Sequence, residues 1–70
     1  ENLDAIPDAK RAAIIDTVRV FMANGSVSGT ASTLFVHRNT LLKRLQRFRE
    51  LTGLDPAVPN DAAFIVLLLA

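Results

Sequence analysis

Seventy residues, half of them hydrophobic, allow one small domain with its own core. Because the chain contains no cysteine, disulfides, thiolate metal sites and cysteine nucleophiles are excluded together. The formal net charge of +1 hides an uneven distribution, in which positive charge is concentrated between His37 and Glu50 and the remaining residues are acidic on balance.

The apolar residues recur at helical spacing in four segments, and no segment alternates as a strand does. The first predicted helix runs from about Asp8 to Ala23 and begins at the Pro7-Asp8 pair. Asn24-Gly25 ends it, since both residues tolerate the left-handed backbone that closes a helix. One side of this helix is apolar and consists of Ile14, Ile15, Val18, Phe21 and Met22.

The second predicted helix is short, from about Val27 to Leu34, with Ser26 as its N-cap. Its Gly29, serines and threonines are poor helix formers, by tenths of a kcal/mol to ~1 kcal/mol each. We therefore expect Ala31 and Leu34 to hold this helix against its neighbours.

The third predicted helix runs from about Arg38 to Thr52, with His37 as its N-cap. Gly53 ends it, and Leu54 is placed to fold back onto Phe48. Its apolar side consists of Leu41, Leu45, Phe48 and Leu51, and the opposite side of Asn39, Lys43, Gln46, Arg47 and Glu50.

Most cations of the chain belong to this third helix. A basic stripe on an otherwise acidic domain is typical of a surface that binds a polyanion. On charge alone, a solvated side of the helix is an equally good interpretation. The helix carries Arg38, Lys43, Arg44, Arg47 and Arg49 against Glu50, and the other residues carry Lys10, Arg11 and Arg19 against Glu1, Asp4, Asp8, Asp16, Asp55 and Asp61.

A fourth helix is predicted from near Pro59, with Asn60 and Asp61 suited to its positive N-terminus. It continues through residues 64–69 and is apolar on all sides there. Such a helix needs burial on more than one side, which implies a partner surface. A flanking segment of a longer protein is one candidate partner, and a second copy is the other. We predict a homodimer whose interface consists of Phe64, Ile65, Leu67 and Leu68.

The segment from Ser26 to Leu45 has the spacing of a helix-turn-helix. Such a unit needs a small residue where its second helix crosses the first, and Ala31 has that position. Five residues later, Val36 supplies the apolar plug of the turn. A tight turn followed by a helix with cations at its start suits insertion into the major groove. The predicted fold class is all-α, a helix-turn-helix bundle of about four helices forming one domain over residues 1–70.

Two motifs then connect the chain to a known family. Residues 34–41 (LFVHRNTL), with Arg44-Leu45 and residues 50–55 (ELTGLD), closely resemble the C-terminal domain of the PucR/CdaR transcription regulators. In that family an HRNTL motif opens the recognition helix and an ELTGLD motif closes it, and Val27-Ser28 and Thr30-Ala31 also match. The arrangement is more distantly similar to the DNA-binding end of Fis. The chain departs from the family pattern at Gly29, Phe35, Leu42 and Lys43.

The resemblance implies a bacterial transcription regulator, cytoplasmic and associated with the nucleoid, that controls catabolic genes. It also implies an effector-sensing region N-terminal to this domain, and we expect the chain to be a piece excised from such a longer regulator. No membrane segment, signal peptide, cofactor or metal is expected. No enzymatic function is expected either, because the sequence lacks paired carboxylates, a Ser-His arrangement and a Gly-rich phosphate loop.

The candidate base contacts are Arg38, Asn39 and Lys43. Arg can bond guanine O6 and N7 bidentately, and Asn can bond adenine N6 and N7 in the same way. Arg38 on a phosphate and Asn39 as a local cap are the alternatives, and we expect at least one of the two to contact a base. Lys43 suits either a base or a phosphate. Leu42 suits a thymine methyl or, as we prefer, cover for the core.

The candidate phosphate contacts lie at the starts of the second and third helices and further along the third. Backbone amides at helix starts add to such contacts. These candidates are Ser26, Ser28, His37, Thr40, Arg44 and Arg47. The predicted partner is double-stranded DNA. The rival function is a protein-interaction module, in which the basic helix is solvated and the last helix docks a partner.

Overall fold

Four helices make up the computed structural model, which describes residues 6–69, so that Glu1 and Asp4 lie outside the described residues. The helices are α1 (Asp8–Asn24), α2 (Val27–Leu34), α3 (Arg38–Thr52) and α4 (Pro59–Leu69), and residues 6–69 contain no strand. The predicted all-α class is confirmed, and so are the predicted helices, with α1 one residue longer than expected.

The predicted helix ends are confirmed by their hydrogen bonds. Gly25 and Gly53 both have φ 74°, and their amides donate to the carbonyls of Phe21 at 2.7 Å and Arg49 at 2.8 Å. These bonds satisfy carbonyls that the helix itself leaves without a donor. At the start of α2, the Ser26 hydroxyl accepts from the Gly29 amide at 2.9 Å, as expected of an N-cap.

The core joins three of the helices. Val18 of α1, Phe48 of α3 and Ile65 of α4 are fully buried, and Ile14 and Leu51 complete the cluster. The half-buried side chains that pack around this cluster are Ile6, Met22, Leu45, Leu54 and Leu69. Leu54 therefore folds back onto the cluster that contains Phe48, as its position after Gly53 predicted. Helices α1, α2 and α3 pack against one another in all three pairs.

Helix α4 divides into a buried side and an exposed side. The prediction that Ile65 belongs to a dimer interface is wrong, because its side chain has no exposed surface and lies in the domain's own core. Phe64, Leu67 and Leu68 are exposed, as that prediction requires. The guanidinium of Arg19 donates to the Leu69 carbonyl at 3.0 Å and ties the end of α4 to α1. Among the described residues, no helix is both long and apolar enough to cross a bilayer.

The turn between α2 and α3 contains a strained residue. Phe35 has φ 56°, the left-handed region that bulky side chains rarely adopt, and its side chain is 95% exposed. Its amide donates to the Ser32 carbonyl at 3.3 Å, and the Val36 amide donates to the Ala31 carbonyl at 3.1 Å. These two bonds form a Schellman motif, in which the position of Phe35 is usually glycine. The geometry of the turn therefore imposes a left-handed backbone on Phe35, although a bulky residue prefers negative φ.

We expect Phe35→Gly to raise the free energy of unfolding by about 1 kcal/mol, because it removes left-handed strain without removing buried surface. Chemical denaturation measures this change. The matched control is Gly53→Ala, which introduces the same strain at a position where an added Cβ has nothing within 4 Å. It should lower stability by a similar amount. A destabilised Phe35→Gly variant would show that Phe35 makes a stabilising contact in the free domain.

Candidate nucleic-acid interface

The start of α3 is fixed by His37, which acts as the N-cap that the sequence predicted. Its Nδ1 accepts a hydrogen bond from the Asn39 amide at 3.0 Å, and the His37 carbonyl accepts from the Leu41 amide at 3.1 Å. With Nδ1 acting as the acceptor, the neutral ring carries its proton on Nε2. His37 is exposed. The ring can therefore donate to a phosphate while it caps the helix.

All three candidate base contacts are exposed on α3. Asn39 and Lys43 are four residues apart, so they project from the same side of the helix, and Arg38 lies beside them at its start. Within residues 6–69, none of these three side chains makes a hydrogen bond or an ion pair. Their donors are available to an external acceptor. Their role as base contacts stays a prediction.

The candidate phosphate contacts fall into two groups. Ser26, Ser28, His37 and Thr40 are exposed near the starts of α2 and α3, where helix dipoles favour anions. Arg44 and Arg47 are half-buried further along α3, and Arg47 lies 3.8 Å from the Glu50 carboxylate. The structure brings all six to the surface, and their contacts with phosphate stay predictions.

Two buried threonines are features that the sequence patterns missed. Thr17 of α1 donates to the Ala13 carbonyl at 2.7 Å and accepts from the Arg44 guanidinium at 3.5 Å. Thr30 of α2 donates to the Ser26 carbonyl at 2.7 Å. Both are fully buried, and the hydrogen bond from each hydroxyl to a carbonyl four residues earlier offsets the cost of that burial. Thr17 lies three residues after Ile14 on the apolar side of α1, and that spacing was the available signal.

Helix α3 is flanked by different elements on its two long sides. On one side, Val27 at the start of α2 lines a depression of about 190 Å³ together with Leu42, Leu45 and Arg49. Leu42 stays 39% exposed there, so it borders the contact between α2 and α3 and lies outside the core cluster. On the other side, Lys43, Arg44 and Arg47 line a groove against α1. The exposed side of α3 runs between these two borders.

A short α2, a tight turn and an α3 whose cations are exposed at its start define a helix-turn-helix DNA-binding domain. Comparison with protein families agrees, since the family described as the PucR C-terminal helix-turn-helix domain matches residues 14–70. The chain belongs to this family, and it is therefore a DNA-binding domain of the transcription-regulator kind.

Curated relatives match the chain over a small part of their own length. An uncharacterized protein of Mycobacterium tuberculosis is 40% identical over 50 residues, which are 70% of this chain and 12% of that protein. The carbohydrate diacid regulator of Escherichia coli is 43% identical over 49 residues, which are 70% of this chain and 13% of that protein. The chain thus spans about an eighth of the length of these relatives. No solved structure matches it.

Replacing Arg38 or Asn39 by Ala should weaken binding to a preferred duplex by roughly 1–3 kcal/mol and relax discrimination at one base pair, because each change removes a potential bidentate base contact. Site selection from random duplexes, followed by titration, measures both effects. The matched control is Gln46→Ala, which removes an exposed polar side chain further along the same helix. Unchanged preference in both of the first two variants would place base reading elsewhere.

Proposed function

We propose that this domain binds double-stranded DNA sequence-specifically, with the first turns of α3 in the major groove and with phosphates contacted on both sides of that helix. The observation that carries the proposal is that the exposed side chains of Arg38, Asn39 and Lys43 have no partner within residues 6–69, on a helix whose start is fixed by His37 and the turn. An α-helix fits the major groove, which is about 12 Å wide, and the N-terminal residues of a recognition helix reach the bases.

We extend this proposal to a longer regulator of which this domain would form one part. We propose a bacterial, cytoplasmic protein, associated with the nucleoid, in which an N-terminal region binds an effector and this domain controls catabolic genes. Membership of the PucR family and a relative named carbohydrate diacid regulator support this extension.

Salt dependence tests DNA binding most simply, because each phosphate contact releases counterions and steepens the loss of affinity with salt. We expect Arg47→Ala to weaken binding to selected and random duplexes alike and to reduce the slope of log K against log[salt] by about 0.9. The matched control is Arg49→Ala, which removes the same charge from the same helix at a residue that lies 3.5 Å from Asp55. Equal slopes for the two variants would contradict a phosphate contact at Arg47.

We also propose that two copies associate through the exposed side of α4. Leu67 and Leu68 follow Phe64 by three and four residues, so these three exposed side chains share one side of the helix, whereas Ile65 is buried. Ile65 packs against the buried side of α3. A partner bound to α4 would therefore leave the exposed side of α3 free to bind DNA. Paired domains can present two recognition helices to half-sites about 34–36 Å apart, and two modest affinities then combine.

Leu68→Lys should shift the isolated domain towards monomer in sedimentation at micromolar concentration, because it places a charge in the apolar contact. Val66→Lys is the matched control, since Val66 is 57% exposed against 58% for Leu68 and lies about half a turn away around α4. A wild type that is monomeric both alone and on DNA would contradict the dimer and favour a flanking segment or another protein on α4.

A further inference from the structure

A groove between α1 and α3 gathers positive charge from both helices. It encloses about 290 Å³, and Ala13 and Ile14 of α1 contribute apolar lining. Within residues 6–69, its charged lining residues are four cations, three from α3 and one from α1. They are Lys10, Lys43, Arg44 and Arg47. Like charges brought together around an apolar surface repel one another, and an anion in the groove relieves that repulsion.

Asp8, the acidic residue nearest in sequence to Lys10, pairs with a cation outside the groove. The Asp8 carboxylate is 2.7 Å from the guanidinium of Arg11, the next residue after Lys10. On α3, Glu50 lies near Arg47, at 3.8 Å, and its side chain is about half exposed. Lys10 itself is exposed and makes no hydrogen bond or ion pair within residues 6–69. Its ammonium is therefore available to a ligand outside the chain.

The position of the groove identifies the anion. Lys43 lines the groove and also lies on the exposed side of α3 beside Asn39, so the groove directly borders the surface proposed to enter the major groove. The start of α2 borders the opposite side of α3, through Val27. A helix in the major groove has a phosphate strand along each side. Ser26 and Ser28 therefore suit one strand, and the groove suits the other.

We propose that Lys10 of α1 contacts a DNA phosphate. Together with Arg44 and Arg47, it binds one of the two DNA strands that border the major groove, and the start of α2 faces the other strand. This inference rests on the proposed DNA binding and adds a helix to the interface that the helix-turn-helix unit itself does not include. The ligand is a backbone phosphate of DNA. The contact fixes the orientation of α3 and carries no base preference.

The test compares Lys10→Gln with Arg11→Gln, which removes the same charge from the neighbouring residue outside the groove. Affinities for a selected and a random duplex are measured between about 0.05 and 0.2 M salt. We expect Lys10→Gln to bind both duplexes roughly 5–10-fold more weakly at about 0.1 M salt and to reduce the salt slope by about 0.9 per bound domain. Arg11→Gln should retain the wild-type slope.

Separate outcomes contradict the two levels of the proposal. A wild type with no salt-dependent affinity for any duplex overturns the proposed function itself. A wild type that binds DNA steeply, with Lys10→Gln and Arg11→Gln indistinguishable, overturns only the role of Lys10. Thermal melting in inorganic phosphate tests whether the groove binds a free anion instead of a DNA phosphate. Stabilisation by phosphate that depends on Lys10, without any effect of Lys10 on the DNA slope, would also overturn the assignment.

Discussion

Val18 of α1, Phe48 of α3 and Ile65 of α4 meet in the middle of the domain, and none of the three has exposed surface. In a domain of this length the net stability is only about 4–10 kcal/mol. A buried aromatic such as Phe48, whose truncation typically costs about 3–5 kcal/mol, is therefore a large part of the whole. The position of α1 against α3 depends on this cluster, and the position of every cation in the basic groove depends on it in turn.

The turn before α3 adds a second constraint of local origin. The Schellman bonds at Phe35 and Val36 end α2, and two residues later the His37 ring begins α3. The backbone at the start of α3 is consequently held in place without any hydrogen bond from the side chains of Arg38, Asn39 and Lys43 within residues 6–69. Arg38, Asn39 and Lys43 remain unpartnered within residues 6–69, and this availability distinguishes a ligand-binding surface from a network of surface ion pairs.

The sequence predicted the helices well because their ends are determined locally, by Ser26 and His37 as N-caps and by Gly25 and Gly53 in the left-handed region. It could not predict which side of α4 is buried. Residues 64–69 are uniformly apolar and contain no periodic signal, so only tertiary packing selects Ile65 for the core. Sequence reasoning also did not suggest the phosphate contact proposed for Lys10. Its proximity to Arg47 depends on the packing of two helices that are distant in sequence.

The central claim is that α3 lies in the major groove. The most direct test is disulfide cross-linking between a cysteine introduced into the protein and a thiol tethered in one groove of the DNA. The chain has no cysteine, so that a single introduced cysteine forms the only protein thiol. Leu42→Cys lies between Arg38 and Gln46 on the exposed part of α3, and Val66→Cys on α4 is the control. We predict a disulfide between Leu42→Cys and a thiol on a base edge in the major groove, and none with Val66→Cys. The account would be contradicted if Leu42→Cys formed a disulfide only with a thiol in the minor groove. It would also be contradicted if Val66→Cys formed the major-groove disulfide more readily than Leu42→Cys.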